Sequence, residues 1–490
     1  MSAVSVAGEA RPLDAAMVIG GERVEPEAWL ENFDPSTGRT LGRVAAGGAA
    51  EIDRAVAAAK QAAPRWAAAK PVERSRLLHR LSRRIEEAHE ELSLLETRDT
   101  GKPLAQSRAD ITVTARYFEF YGNVVEAYLG GSIPLGAEML AITENVPYGT
   151  TGHVIPWNYP AQITARSVAP SLAAGNTVVV KPAEIAPLTP VRLAELALEE
   201  GLPDGVLNVV PGEGASAGQA LGDHAGIGHI SFTGSVATGR TVAARCANRG
   251  RPVTLELGGK SPHVILESAD LDRAIPLVVS TLIQNAGQTC VAGTRTIVHR
   301  SLREELIERL VAELESISIG PGLEDPDLGP LISAGQLERV NGFVERAVGE
   351  GNEPLRAGSV PPGLGGYFVE PILFTEAAPE SEIAQQEVFG PVLVITPFDR
   401  ADEAVALANA TDYGLTAAVW SRDVDQALGV ARAIEAGQVF VNGYAAGGGV
   451  ELPFGGFKDS GFGREKGFEA LGEYTQTRTV LVRSELPAGS

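Results

Sequence analysis

From about residue 151 onward the chain alternates between short apolar runs and longer helix-like stretches, and this rhythm restricts its possible architectures most. Apolar runs fall at 152–155, 177–180, 206–210, 228–232 and 253–257, separated by stretches of Ala, Leu and Glu at 161–174, 187–200 and 236–247. Strands spaced by helices form parallel βαβ units, because a parallel crossover needs about a helix of connecting chain. The product is a twisted sheet covered on both faces, so its strands can be apolar throughout, as in Val178-Val179-Val180. A second alternation follows, with strands expected at 294–299, 391–397, 415–420 and 438–441 and helices at 302–317, 401–410 and 424–436. Two doubly wound α/β domains result, in keeping with 490 residues, too many for one ordinary core.

Ahead of the first alternation, 50–68 and 71–98 read as amphipathic helices, Pro71 beginning the second, and a third is expected at 105–127. Residues 131–147 read as an extended excursion, broken by Pro134 and Pro147. The tail around 473–483 alternates like a strand and is expected to pair outside its own domain, with that excursion or with a neighbouring subunit. Both ends are rich in Ala, Gly, Ser and Pro and are expected to fray.

A net charge of -21 argues against nucleic acid or an anionic membrane as partner, since both need basic surface. No run of about 18 apolar residues indicates a membrane span, and Met1-Ser2-Ala3-Val4-Ser5 lacks the pattern of a signal peptide. Two cysteines cannot build a disulfide framework, so a reducing cytoplasm is the expected location.

One of those cysteines, Cys290, ends Gly287-Gln288-Thr289-Cys290, a turn of small and polar residues flanked by Gly287 and Gly293. A buried thiol is ordinarily an inert small hydrophobe, whereas an exposed turn favours a reactive thiolate. Cys246, within the helical Ala243-Ala244-Arg245-Cys246-Ala247, has the packing character. Glu256 closes the apolar run Val253-Thr254-Leu255 just before Gly258-Gly259, at a strand's carboxyl end, where open α/β sheets bind ligands. There it reads either as a general base with a raised pKa or as a solvated loop glutamate. Asn158, in Pro156-Trp157-Asn158-Tyr159-Pro160, reads as an amide donor to an oxyanion or as a simple helix cap. A thiol, a base and an amide donor together point to covalent chemistry on a carbonyl.

For a cofactor, strand 228–232 runs into Thr233-Gly234-Ser235 and a helix, whose first N–H groups can hold phosphate. Strand 177–180 ends in Lys181-Pro182-Ala183-Glu184, a donor and an acceptor suited to ribose hydroxyls. No metal site is expected. Gly259-Lys260-Ser261 mimics the end of a phosphate-binding P-loop, but Thr254 stands where that motif needs glycine. Gly214-Ala215-Ser216-Ala217-Gly218 matches a nucleophile elbow. A hydrolase of that kind needs a late histidine, and the last one here is His299.

Taken together these motifs resemble the NAD(P)-dependent aldehyde dehydrogenase family, from about Phe33-Asp34-Pro35 to Thr479-Val480. The carriers, in the family's order, are the segments 156–160, 181–184, Phe232-Thr233-Gly234-Ser235, Glu256-Leu257-Gly258-Gly259-Lys260, 287–290, Glu387-Val388-Phe389-Gly390-Pro391 and Pro453-Phe454-Gly455-Gly456. The resemblance implies that Cys290 attacks an aldehyde, that Asn158 with the Cys290 N–H holds the oxyanion, and that Glu256 activates water to hydrolyse the thioester. It further implies that Lys181 and Glu184 hold the adenosine ribose, that Trp157 and Ser235 hold the pyrophosphate, which Gly234 lets approach closely, and that Glu387, with Phe389 packing nearby, holds the nicotinamide ribose; Leu257 is a further expected cofactor contact. NAD is the expected cofactor, with NADP as the alternative. The family's fold has a Rossmann-like cofactor domain, here 1–128 and 148–257, a catalytic domain, 258–458, and a small bridging sheet, 129–147 and 472–487, that joins homodimers or homotetramers.

Two other readings stay open at this point: a serine hydrolase using Ser216, and a structural relative without activity, as in lens crystallins. The substrate is the least legible part. Tyr159 and Phe454 are expected to line its site, and the small residues Ala445-Ala446-Gly447-Gly448-Gly449 suggest a wide mouth suited to aromatic or bulky aldehydes. Arg166 stands where succinate-semialdehyde dehydrogenases carry an arginine for the substrate carboxylate, which suggests an anionic aldehyde. Gln284 and Gly448-Gly449 depart from that branch, and the alternative reading is that Arg166 pairs with a surface or interface carboxylate.

Overall fold

The computed structural model describes residues 13–136, 138–445 and 448–483. The first alternation builds an eight-stranded sheet whose parallel centre is Leu207–Val209, Thr177–Pro182, Thr150–Ile155, His229–Thr233 and Val253–Glu256, in that spatial order. Antiparallel strands complete its edges: Met17–Ile19 with Glu22–Val24 on one side, and Gly461–Phe462 beside Val253–Glu256 on the other. The second alternation builds a seven-stranded sheet in which Ile372–Phe374, Val392–Phe398, Arg295–His299, Pro262–Ile265, Thr416–Trp420 and Gln438–Val441 run parallel. The chain is thus two α/β units plus a small sheet. In the small sheet Thr475–Arg483 pairs antiparallel with Met139–Pro147, which pairs in turn with Gly131–Pro134. The tail therefore meets the excursion of its own chain.

The stretch 71–98 is two helices, Pro71–Glu87 and His89–Thr100, not one. At Ala88 the backbone leaves helical geometry (φ -91, ψ 11), and the second piece turns to pack on helices Leu104–Val124 and Leu188–Glu199. The first piece is capped by Glu73, whose carboxylate accepts from the Lys70 N–H at 2.9 Å. It buries Leu77, Leu78, Leu81 and Ile85 against Phe118, Tyr121, Val168 and Leu172. Each such aliphatic side chain contributes roughly 1.5–3 kcal/mol. This core seats helix Pro160–Ala174, which follows directly on Asn158 and Tyr159.

Sequence periodicity does not reveal strand Pro262–Ile265, helices Leu271–Ile283 and Ala334–Gly349, or the hairpin Trp29–Phe33/Thr40–Ala45. The expected frayed ends, and the part of the bridging segment beyond residue 483, lie outside the described residues, as do Ala446 and Gly447. No helix among the described residues is long and apolar enough to cross a membrane.

Candidate active site

Neighbouring parallel strands carry the site at their carboxyl ends. Thr150–Ile155 leads through Pro156, Trp157 and Asn158 into helix Pro160–Ala174; His229–Thr233 leads through Gly234 and Ser235 into helix Val236–Ala247; Val253–Glu256 ends at Glu256 itself. Between them opens a cavity of about 260 Å³ lined by Trp157, Asn158, Gly234, Ser235, Glu256, Leu257, Cys290, Glu387 and Phe389, among others. The proposed nucleophile, base and oxyanion donor therefore share one cavity with six of the expected cofactor residues.

Cys290 is partly exposed, and it follows a left-handed stretch, Asn285 (φ 48), Ala286 (φ 54) and Gly287 (φ 71). Such backbone costs free energy at non-glycine positions and persists only where surroundings enforce it. Here the Asn285 side chain donates to the Asn158 carbonyl at 2.9 Å, and Gln288 bonds to the Asn285 carbonyl and the Ile332 N–H, both at 2.9 Å. Asn158 Nδ2 donates to the Gln288 carbonyl at 2.9 Å, tying its loop to that of Cys290. Gly259 lies so close that a Cβ there would run into the Cys290 carbonyl. Burial pushes the Cys290 thiol up to about 12, with Glu387 and Glu256 adding to the rise and Arg166 and Lys466 opposing it. The resting thiol is therefore protonated, and its proton must leave when the sulfur attacks.

Glu256 is buried, and neither carboxylate oxygen has a hydrogen-bond partner among the described residues. Burial is the main reason its pKa stands well above the usual carboxylate range; Glu465 adds to the rise, while Arg166, Arg464 and Lys466 oppose it. A desolvated carboxyl without fixed partners is equipped to take a proton from a bound thiol or water.

The cofactor candidates fall into two groups. Glu387 accepts from the Gly259 N–H at 2.9 Å, and burial raises its pKa to about 7. A Cβ at Gly258 would strike the Glu387 carboxylate, so a side chain there would displace that carboxylate from its present position. Phe389, held at φ 64, sets its ring edge-on to Trp157 with centroids 5.2 Å apart. Ser235 caps helix Val236–Ala247 by accepting from the Thr238 N–H, leaving the helix start facing the cavity. Lys181 and Glu184 lie beyond that cavity as an ion pair at 3.2 Å. Sequence reasoning overlooked Gln336 and Arg339, from helix Ala334–Gly349, which line the cavity and bond to the carbonyls of Phe389, Val388 and Glu387. Neither residue sits in a motif that would mark it.

The substrate candidates lie apart from these. Phe454 is buried with Val291 and Leu415, and Cys290 packs against that cluster. Tyr159 is buried, its ring beneath the Lys102 ammonium. Arg166 is buried, ion-paired with Glu465, hydrogen-bonded to Thr233 Oγ1 at 3.1 Å, and set 5.3 Å from the Phe454 ring centre. Its charge is matched by a protein carboxylate before any substrate arrives. Ser216 lies in a turn over Gly214–Gly218 and donates to the carbonyls of Glu213 and Gly47, with no histidine among its partners.

Residues 23–480 match the model of the aldehyde dehydrogenase family. A betaine aldehyde dehydrogenase of Rhizobium etli (strain CIAT 652) is 41% identical over 96% of this chain and 97% of its own. Two solved structures superpose closely. One is a Burkholderia cenocepacia protein put forward as an aldehyde dehydrogenase, with 49% identity, TM-score 0.94 and coverage of 96% of this chain and 100% of that one. The other is the NAD+ complex of a Bacillus cereus aldehyde dehydrogenase, with 38% identity, TM-score 0.93 and coverage of 96% and 97%. The chain belongs to the aldehyde dehydrogenase family. It is accordingly an aldehyde-oxidising enzyme, which retires both the serine-hydrolase and the inert structural readings.

Proposed function

We propose that this chain oxidises an aldehyde to the carboxylic acid with NAD as hydride acceptor, through a covalent bond to Cys290. The observation that carries the assignment is the meeting of Cys290, Glu256 and Asn158 on one cavity with Trp157, Ser235, Glu387 and Phe389. The Cys290 sulfur adds to the aldehyde carbon, its proton passing to a base, and the carbonyl oxygen becomes an oxyanion facing Asn158 Nδ2 and the Cys290 N–H. NAD, when bound, accepts the hydride that leaves that carbon. A thioester on Cys290 remains; Glu256 takes a proton from water, the hydroxide attacks the acyl carbon, and the sulfur departs with the acid released.

The cavity fits a dinucleotide. It offers a helix start for phosphate, an aromatic pair, and a carboxylate, Glu387, with room to accept from ribose hydroxyls. On this reading the sheet around Thr150–Ile155 belongs to the cofactor domain and the sheet around Pro262–Ile265 to the catalytic domain. Lys181 and Glu184 hold the adenosine ribose. Glu184 accepts from a 2′-hydroxyl, whereas a 2′-phosphate meets its like charge, only partly offset by Lys181. Steady-state kinetics should therefore give a higher kcat/KM with NAD than with NADP; the reverse order would remove Glu184 from this role.

Arg166 supports the substrate less directly than its sequence position suggests. Arg166→Leu strands the buried Glu465, a change that costs roughly 3–5 kcal/mol of stability for such pairs. Its loss of kcat/KM should be the same, within about threefold, for neutral and carboxylated aldehydes of equal size, because the pair lost is internal to the protein. A loss of about tenfold or more confined to the carboxylated aldehydes would instead make Arg166 the contact for an anionic substrate.

The third sheet leaves Ile133, Leu140, Leu481 and Val482 exposed, an apolar surface of the kind that subunit contacts cover. It supports a homodimer or homotetramer, and light scattering should give a mass of two or four chains; a 51.2 kDa particle would contradict it. Both cysteines are free, which agrees with a reducing cytoplasm.

A further inference from the structure

Behind Asn158 lies a buried charge cluster that none of the chemistry above uses. Lys102 occupies the turn between helices His89–Thr100 and Leu104–Val124, and its side chain is wholly removed from solvent. Its ammonium lies 2.7 Å from Asp110 Oδ2 and 3.3 Å from Glu96 Oε1, and donates to the Asn158 carbonyl at 2.9 Å. It also sits 4.3 Å from the centre of the Tyr159 ring, and Glu96 accepts from the Thr189 hydroxyl through its second oxygen. Burial alone would neutralise such a lysine, but Asp110 and Glu96 more than offset this and hold it charged. Removing three charges from water costs several kcal/mol for each, and well-packed apolar side chains often serve stability as well. Stability alone therefore does not account for the arrangement.

The Asn158 carbonyl receives two donors, the Lys102 ammonium and Asn285 Nδ2, both at 2.9 Å. Two donors from separate segments fix the plane of that peptide, and with it the direction of the Asn158 side chain. One donor comes from the segment leading to Cys290, so the clamp also sets the amide relative to the sulfur. We propose that Lys102, held in place by Glu96 and Asp110, is a positioning residue that aims the Asn158 amide at the oxyanion formed on the aldehyde. This rests on the oxyanion role of Asn158. A displacement of about 1 Å in such a site can cost on the order of a hundredfold in rate.

The test is a double-mutant cycle in the full-length enzyme. Lys102→Met with Glu96→Gln and Asp110→Asn removes the three charges together, leaving no lone buried ion. This set is made alone and on Asn158→Ala, and the NADH burst of a single turnover is followed by stopped flow with saturating NAD. Thermal melting and NAD titration show that each variant is folded and binds cofactor. If the triple variant does not fold, Lys102→Gln takes its place in the same cycle. The triple set should slow the burst about 10- to 100-fold at unchanged NAD affinity. On Asn158→Ala it should change the rate by less than about twofold, because the amide it aims is gone. Equal losses on both backgrounds, or no loss on the first, would overturn the role of Lys102. A burst unaffected by Asn158→Ala alone would instead remove Asn158 from the site, and the proposal with it.

Discussion

Cys290→Ala abolishes NADH formation, lowering kcat/KM by more than about a thousandfold, the scale expected when a covalent nucleophile is removed. NAD affinity, measured by titration without aldehyde, stays within about threefold, because the substitution removes one sulfur atom from the wall of the cavity. The size of the effect follows from the chemistry: without the thiolate no covalent intermediate forms, and hydride would have to leave a hydrated aldehyde that nothing holds in place. Cys246→Ala is the control. Cys246 is fully buried in the core beside Ile230 and Leu255, so its loss costs stability and leaves the chemistry intact. Retained turnover above a thousandth of wild type in Cys290→Ala would move the nucleophile elsewhere.

Glu256→Gln separates the two halves of the reaction. The amide cannot take a proton from water, so one equivalent of NADH appears per active site and turnover then stalls. The pH dependence of the wild type gives a second view of the same group. Burial and Glu465 raise the Glu256 pKa, and a base acts only when deprotonated, so kcat falls as pH drops through that raised value. The acid limb should therefore lie well above the ordinary glutamate pKa of about 4.3. A limb near that ordinary value, or a glutamine variant with near wild-type steady-state turnover at neutral pH, would assign deacylation to another residue.

The contrast between what the sequence disclosed and what it hid has a physical basis. A strand such as Thr177–Pro182 is legible because a parallel strand buried on both faces leaves an unbroken apolar run, here Val178-Val179-Val180. Pro262–Ile265 is just as buried and lies inside the second sheet between Arg295–His299 and Thr416–Trp420, yet four residues after Gly258-Gly259-Lys260-Ser261 give too short a run to stand out. Helix 71–98 looked continuous because apolar periodicity survives the bend at Ala88. Cys290, Glu256 and Asn158 could be marked because each occupies an abrupt turn at a strand end or among glycines. Lys102, Glu96, Asp110 and Glu465 carried no such mark. A charged residue reads as solvent-facing until the fold shows what it is packed against, and all four are buried here. Arg166 illustrates the same limit: its sequence position suggested a substrate contact, and only its neighbours show that Glu465 already matches its charge.

The central claim, an acyl-enzyme on Cys290 that Glu256 resolves, is tested most directly by intact-protein and peptide mass spectrometry of Glu256→Gln mixed with NAD and an aldehyde. The account requires one acyl group per chain, its mass that of the aldehyde less two hydrogens, carried on the peptide containing Cys290 and matched by one equivalent of NADH. Steady NADH formation with Cys290 unmodified, or an acyl group found on any other residue, would contradict it.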